Sequence, residues 1–227
     1  MAAAILAAIA AGTATTQAQA APASQELVVL LAGKAAYAAP ASGARVVASV
    51  PGRRPLTRIR TVLPVVGRAT AANGAAWLRV RLSGRPSQPL GWIRATRTRS
   101  TQTPWRLRLT ISSRRLTVYH YGRAVRRFAA IVGAPSTPTP IGEFFVEEAL
   151  RLSGGAVGGP FALATSARST VLQEFAGGPG QIAIHGMGNL SGQMGTAVSH
   201  GCIRLSYASI TWLAGQVGRG VPLTIVR

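Results

Sequence analysis

The chain has 227 residues, enough for two modest domains with real cores, and carries 25 Lys and Arg against five Glu for a net charge of +20. Lys34 is the only lysine and there is no aspartate, which argues against a carboxylate metal site and against paired-carboxylate hydrolysis. One cysteine excludes an internal disulfide, and three histidines with one cysteine lack metal-ligand spacing.

The first sixteen residues are apolar and Ala-rich, and Ala18-Gln19-Ala20 before Ala21-Pro22 fits the small-x-small rule for leader cleavage. A signal peptide over 1–20 is predicted, and with it a periplasmic, secreted or wall-associated protein. The run is short and broken by Gly12, Thr13, Thr15 and Thr16, unlike a membrane-spanning helix, and no Lys or Arg precedes Lys34. Short alternating runs punctuated by Gly and Pro then predict a small all-β domain over 26–96. Within it, Ala76-Trp77-Leu78-Arg79-Val80 and Gly91-Trp92-Ile93 resemble two late strands of a bacterial SH3-like barrel, where both tryptophans suit core packing or a groove equally. The polar, Pro-terminated stretch 97–104 reads as a linker.

The region 105–227 opens with period-two alternation from Trp105 to Ile111, a turn at Ser112 to Arg115, and a hairpin around Tyr121-Gly122 built from 116–121 and 124–132. Further strands are predicted at 144–149, 161–164, 181–185 and 222–226. Ser206 can cap a helix from about Tyr207 to Val217 that Gly218 ends, with Trp212 and Leu213 on its buried face. The expected fold is therefore mostly β, with one main helix. Gly-rich stretches at Gly154-Gly155, Gly158-Gly159 and Gly177 to Gly180 lack a following Lys-Ser or Lys-Thr, so they form no phosphate loop; they suit a surface loop or a substrate lid.

The lone cysteine sits in Ser199-His200-Gly201-Cys202-Ile203-Arg204-Leu205, and His185 ends a short apolar run seventeen positions upstream. A thiolate is the reactive form of cysteine, and a nearby base, His185 or His200, can generate it. Gly201 allows a turn that brings the Gly201 and Cys202 amides together as oxyanion donors. A buried structural cysteine beside a core histidine is the plain alternative. His120, among tyrosines in a strand, suits a packing role.

Residues 185–205 resemble the active-site block of the L,D-transpeptidase (YkuD-like) family: His-Gly, a Gly-rich stretch, then Ser-His-Gly-Cys, an apolar residue and Arg or Asn. The segment from Val132 to Phe144, with its Thr-Pro-x-Gly-x-Phe end, and Gly159-Pro160-Phe161-Ala162-Leu163 extend the likeness over roughly 106–226. Some relatives carry Ser and Asn where this chain has Gly186 and Arg204, so roles of those side chains do not transfer. The resemblance implies an SH3-like barrel followed by a catalytic β-sandwich over 105–227. It implies Cys202 as nucleophile on peptidoglycan stem tetrapeptides, releasing D-Ala and passing the thioacyl group to an amine in a 3-3 cross-link. His185 would be acid and base, the Gly186 carbonyl would orient its ring, Ser199 and His200 would support the loop, and Arg204 would bind a substrate carboxylate or form an ion pair. No cofactor is implied. A cell-wall cysteine peptidase is the runner-up, although that type places Cys before His; a non-catalytic wall-binding protein is the next. The interleaved arginines, without a nucleic-acid-binding motif, suit the anionic cell envelope better than base reading.

Overall fold

The computed structural model describes residues 23–85, 89–153, 155–174 and 178–227; the predicted leader at 1–20, Gly154 and Gly177 lie outside them. Among the described residues no helix is long and apolar enough to cross a membrane. The first strands are β1 (Gln25–Leu30), β2 (Lys34–Tyr37), β3 (Val46–Val50), β4 (Val62–Thr70), β5 (Ala76–Arg81), β6 (Leu90–Arg94) and β7 (Thr98–Thr103). They form one antiparallel sheet in the order β3-β2-β6-β5-β4-β1-β7. Period-two patterning drives one face of it: Leu78, Val80 and Ile93 are buried in one core, while Arg79, between the first two, is exposed. Trp77 is buried, edge-on to Tyr37 and beneath Arg94, on the face of β5 opposite to Leu78 and Val80.

The stretch expected to be a linker is strand β7 over most of its length. It pairs with all of β1, from Gln25 opposite Thr103 to Leu30 opposite Thr98. Its polarity misled because an edge strand exposed through Arg99–Gln102 needs no apolar face, and its threonines favour extended backbone.

The remaining strands are β8 (Trp105–Thr110), β9 (Arg115–His120), β10 (Arg123–Ala129), β11 (Val132–Gly133), β12 (Gly142–Arg151), β13 (Phe161–Arg168), β14 (Gln181–His185), β15 (Ala197–Ser199), β16 (Ile203–Arg204) and β17 (Pro222–Val226). The helix α1 (Tyr207–Gln216) lies between the last two. Eight of these strands form a sheet in the order β10-β9-β8-β17-β12-β13-β14-β16, and β11 pairs with β15. The hairpin turns at Tyr121-Gly122, both with positive φ, as its mirror-image turn requires.

Ser206 caps α1 by accepting the Ser209 N–H at 3.3 Å, and Ile210 and Leu213 form its buried face. Trp212 is only partly buried, flanked by Phe128 and Arg126. The strand β12 is covered on both faces. Phe144 and Val146 join the core beneath α1, whereas Phe145 joins the core of the N-terminal sheet. On that second face Arg54 faces Glu147 at 3.3 Å, Thr57 donates twice to Glu148, and Arg219 donates to the Arg60 carbonyl at 2.6 Å. The two sheets are thus joined by a buried, partly ionic interface.

Candidate active site

Strand pairing brings the nucleophile candidate to the base candidate. β16 runs parallel to β14, with Ile203 opposite Ile184 and Arg204 opposite His185, and the Leu205 N–H donates to the His185 carbonyl at 2.8 Å. Cys202, immediately before β16, therefore lies alongside the end of β14. Its Sγ accepts the Ala183 N–H at 3.5 Å and is 4.0 Å from the Gln181 carbonyl oxygen.

The loop before Cys202 is pinned from two sides. Ser199 is buried; its Oγ donates to the Cys202 carbonyl at 2.6 Å and accepts the Gly201 N–H at 3.2 Å. This commits the Gly201 amide, expected as an oxyanion donor, to Ser199 instead, because the short Ser hydroxyl folds back on its own turn. The Cys202 amide is left as the backbone donor of that pair. Gly201 has φ near 110°, a region that side chains rarely adopt. From the other side, Thr139 Oγ1 donates to the Gly201 carbonyl at 2.8 Å while accepting the Gly133 N–H at 2.9 Å. Thr137 Oγ1 and the Ala134 N–H both donate to the Ser199 carbonyl.

His185 Nδ1 lies 2.8 Å from the Gly186 carbonyl oxygen. A carbonyl only accepts, so the neutral ring carries its hydrogen on Nδ1 and leaves Nε2 free to take a proton. A side chain at 186 would place Cβ 2.0 Å from the Gly159 carbonyl oxygen, which explains glycine at that position in this chain. Burial pushes the His185 imidazole below its ordinary value; the Arg204 charge adds to this and the Gly186 carbonyl opposes it. Burial likewise pushes the Cys202 thiol up, against the Ala183 amide and the Arg204 charge. Both shifts favour a neutral thiol beside a neutral imidazole at rest.

Both groups line a cleft of about 490 Å³ together with His200, Arg204 and the apolar Leu152, Val157, Ala162 and Leu190. Arg204 donates to the Ser191 carbonyl at 3.1 Å, while its Nε is buried with no partner. Among the described residues its guanidinium pairs with no carboxylate. His200 is exposed at the cleft rim, and His120 stacks on Trp105 far along the sheet. A second cavity of about 310 Å³ lies beside Trp77 and Arg94, and contains neither cysteine nor histidine. Among the described residues no three His, Cys or Glu side chains gather as a metal site would require.

Sequence reasoning assigned no role to Thr137, Thr139 or Gln181. The two threonines lie in the Thr-Pro-Thr-Pro segment, whose side-chain hydroxyls flanked by prolines are the only local sign of a loop built to bond elsewhere.

A half-buried thiol and an imidazole held by its far nitrogen, lining one cleft, are the equipment of cysteine-dependent acyl transfer. The chain belongs to one family with that equipment: residues 104–225 match the L,D-transpeptidase catalytic domain, YkuD. By that membership it is an L,D-transpeptidase. It is 31% identical over 124 residues to YkuD of Bacillus subtilis (strain 168), a proposed L,D-transpeptidase, in a match covering 55% of this chain and 67% of that protein. The corresponding protein of Bacillus licheniformis is 31% identical over 122 residues, covering 54% and 66%. Among solved structures, an L,D-transpeptidase from Mycobacterium tuberculosis H37Rv aligns with a TM-score of 0.48 at 18% identity, over 74% of this chain and 90% of that one.

Proposed function

We propose that this chain transfers the acyl group of a peptidoglycan stem tetrapeptide through a thioester on Cys202. The observation that carries the reading is that Cys202 and His185, the latter bonded to the Gly186 carbonyl, line one cleft. As Cys202 Sγ attacks the carbonyl carbon of the third stem residue, His185 Nε2 takes the thiol proton. The oxyanion forms near the Cys202 amide. Collapse breaks the bond to the terminal D-Ala, whose nitrogen receives the proton from His185, and leaves a thioester. An amine of a neighbouring stem then gives His185 its proton, attacks the thioester and expels the Cys202 sulfur, making a 3-3 cross-link. The unpaired Arg204 would hold a substrate carboxylate at the cleft.

The Trp77 and Gly91-Trp92 strands would be the SH3-like element, the residues over 1–20 would direct export, and the excess of arginine would hold the enzyme to an anionic envelope. Incubating the protein with disaccharide tetrapeptide and resolving products by mass spectrometry tests the reading. Free D-Ala together with a cross-linked dimer is expected. Intact substrate after prolonged incubation would overturn it.

A further inference from the structure

The residues that share a recess with Cys202, one that His185 does not line, are held by a side chain from the N-terminal unit. A narrow recess there, about 10 Å³, is lined by Ser169, Leu172, Gly180 and Gln181 together with Cys202. Its wall turns sharply: Gly180 has φ near 60°, the Ser169 N–H donates to the Gly180 carbonyl at 2.8 Å, and a Cβ on Gly180 would lie 2.0 Å from the Leu172 carbonyl oxygen. The turn makes three carbonyl oxygens converge, those of Ser169, Leu172 and Pro179. Such dipoles repel one another unless a donor stands between them.

Arg85, in the connection following β5, is that donor. Its Nη1 donates to Pro179 O at 3.1 Å, and its Nη2 to Ser169 O at 3.1 Å and Leu172 O at 3.0 Å. A planar guanidinium can serve several acceptors at fixed angles, which an ammonium on a flexible stem cannot. Gln181, two residues after Pro179, carries the consequence to the nucleophile. Its carbonyl lies 4.0 Å from Cys202 Sγ, and its side chain donates to Glu147 at 2.5 Å and to Thr165 O at 2.8 Å. Glu147 in turn faces Arg54 of the N-terminal unit. Two arginines from outside the catalytic sheet thus converge on the segment that borders the sulfur.

We propose that Arg85 is a positioning residue of the transpeptidase: it fixes the wall formed by Ser169, Leu172, Pro179, Gly180 and Gln181, against which Cys202 is set. The proposal rests on Cys202 being the nucleophile. The N-terminal sheet is then part of the catalytic apparatus rather than only a wall-binding attachment.

The test uses the full chain with Arg85→Ala and Arg85→Lys, and Arg79→Ala as an exposed-arginine control. Three readouts are taken: thermal melting, D-Ala release resolved into kcat and KM, and the rate of Cys202 alkylation by iodoacetamide at neutral pH. For Arg85→Ala, kcat falls on the order of tenfold with KM little changed, as a misplaced reacting group requires. Alkylation speeds up at least about twofold, because a loosened wall admits water and eases thiol ionisation. Arg85→Lys lies between Arg85→Ala and wild type, and Arg79→Ala matches wild type. Wild-type kcat and alkylation in a folded Arg85→Ala overturn the proposal. So does a loss of activity that vanishes when the assay is run well below the melting temperature. If Arg85→Ala does not fold, Arg85→Lys decides by the same two readouts. Should the wild type release no D-Ala, the failure falls on the transpeptidase reading, and alkylation alone decides the role of Arg85.

Discussion

Cys202 Sγ accepts its hydrogen bond from the amide of Ala183, two residues before His185 on the same strand. The proposed nucleophile and base are therefore referenced to one rigid element, β14, rather than to two independent loops. Such a pair keeps its geometry without an ionic bond between its members, which agrees with the neutral states that burial favours.

The proposed thioester on Cys202 predicts covalent capture. A carbapenem should acylate Cys202 and add its mass to the intact protein, while Cys202→Ala stays at its native mass. Equal labelling of both proteins in intact-mass spectra would assign the nucleophile elsewhere.

The three histidines should separate by severity. His185→Ala is expected to lower turnover by roughly a hundredfold or more, the usual loss for a general base. His200→Gln, at the exposed rim, should retain measurable activity, and His120→Ala, stacked on Trp105, should match wild type. Steady-state D-Ala release measures all three, and a reversed order for His185 and His200 would exchange their roles.

The pH dependence follows from the two shifts. The thiol is raised, so direct alkylation, which needs thiolate, should climb with a midpoint above the ordinary 9.0. Turnover needs neutral His185, whose value is lowered, so D-Ala release should persist at pH 6.5 and fade only below it. Arg204 lowers both groups by its charge. Arg204→Gln should consequently move the acid limb of turnover and the alkylation midpoint upward together. A shift of either one downward would contradict the placement of Arg204 beside the pair.

Much of this was legible from the chain. The alternation at Leu107, Leu109, Leu116 and Val118, the Ser206 cap and the Cys202 motif are local signals, and the strands and helix form where they indicate. What was hidden depends on long-range partners. Thr98–Thr103 lacks an apolar face because it is an edge strand, and nothing nearby reveals that β1 completes it. Phe144 and Phe145 look equivalent in sequence, yet adjacent strand residues face opposite ways, and here both faces have cores. The Gly201 amide looked free for an oxyanion until the fold of Ser199 onto its own turn was seen.

Thr139 tests the pinning of the nucleophile loop. Thr139→Val keeps the shape but removes the hydroxyl that joins Gly201 O to Gly133 N–H, leaving two backbone groups without that partner. A cost of about 1–3 kcal/mol is expected in urea unfolding, with kcat reduced as well. Unchanged stability and turnover would show that the loop holds itself.

Every candidate catalytic group lies within residues 101–227, and from sequence that stretch is expected to fold and act alone. The buried face of β12 predicts otherwise. Phe145 is fully buried in the N-terminal core, and Glu147, also buried, faces Arg54 at 3.3 Å and Arg168 at 3.5 Å. Cutting the chain before Trp105 would bare the phenyl ring and remove one of the two cations beside the carboxylate. Replacing Phe145 by Ala in the full chain should cost about 3–5 kcal/mol, as for other buried aromatic truncations. Arg54→Ala should cost less, about 1–3 kcal/mol, because Arg168 and the Gln181 side chain still face the buried Glu147 carboxylate. In each case the catalytic and N-terminal sheets should melt in one transition, followed by intrinsic fluorescence of Trp77 and Trp105 on the two sides. If Phe145→Ala instead yields two transitions, with carbapenem labelling of Cys202 retained after the first, the sheets are independent and the interface is dispensable for folding.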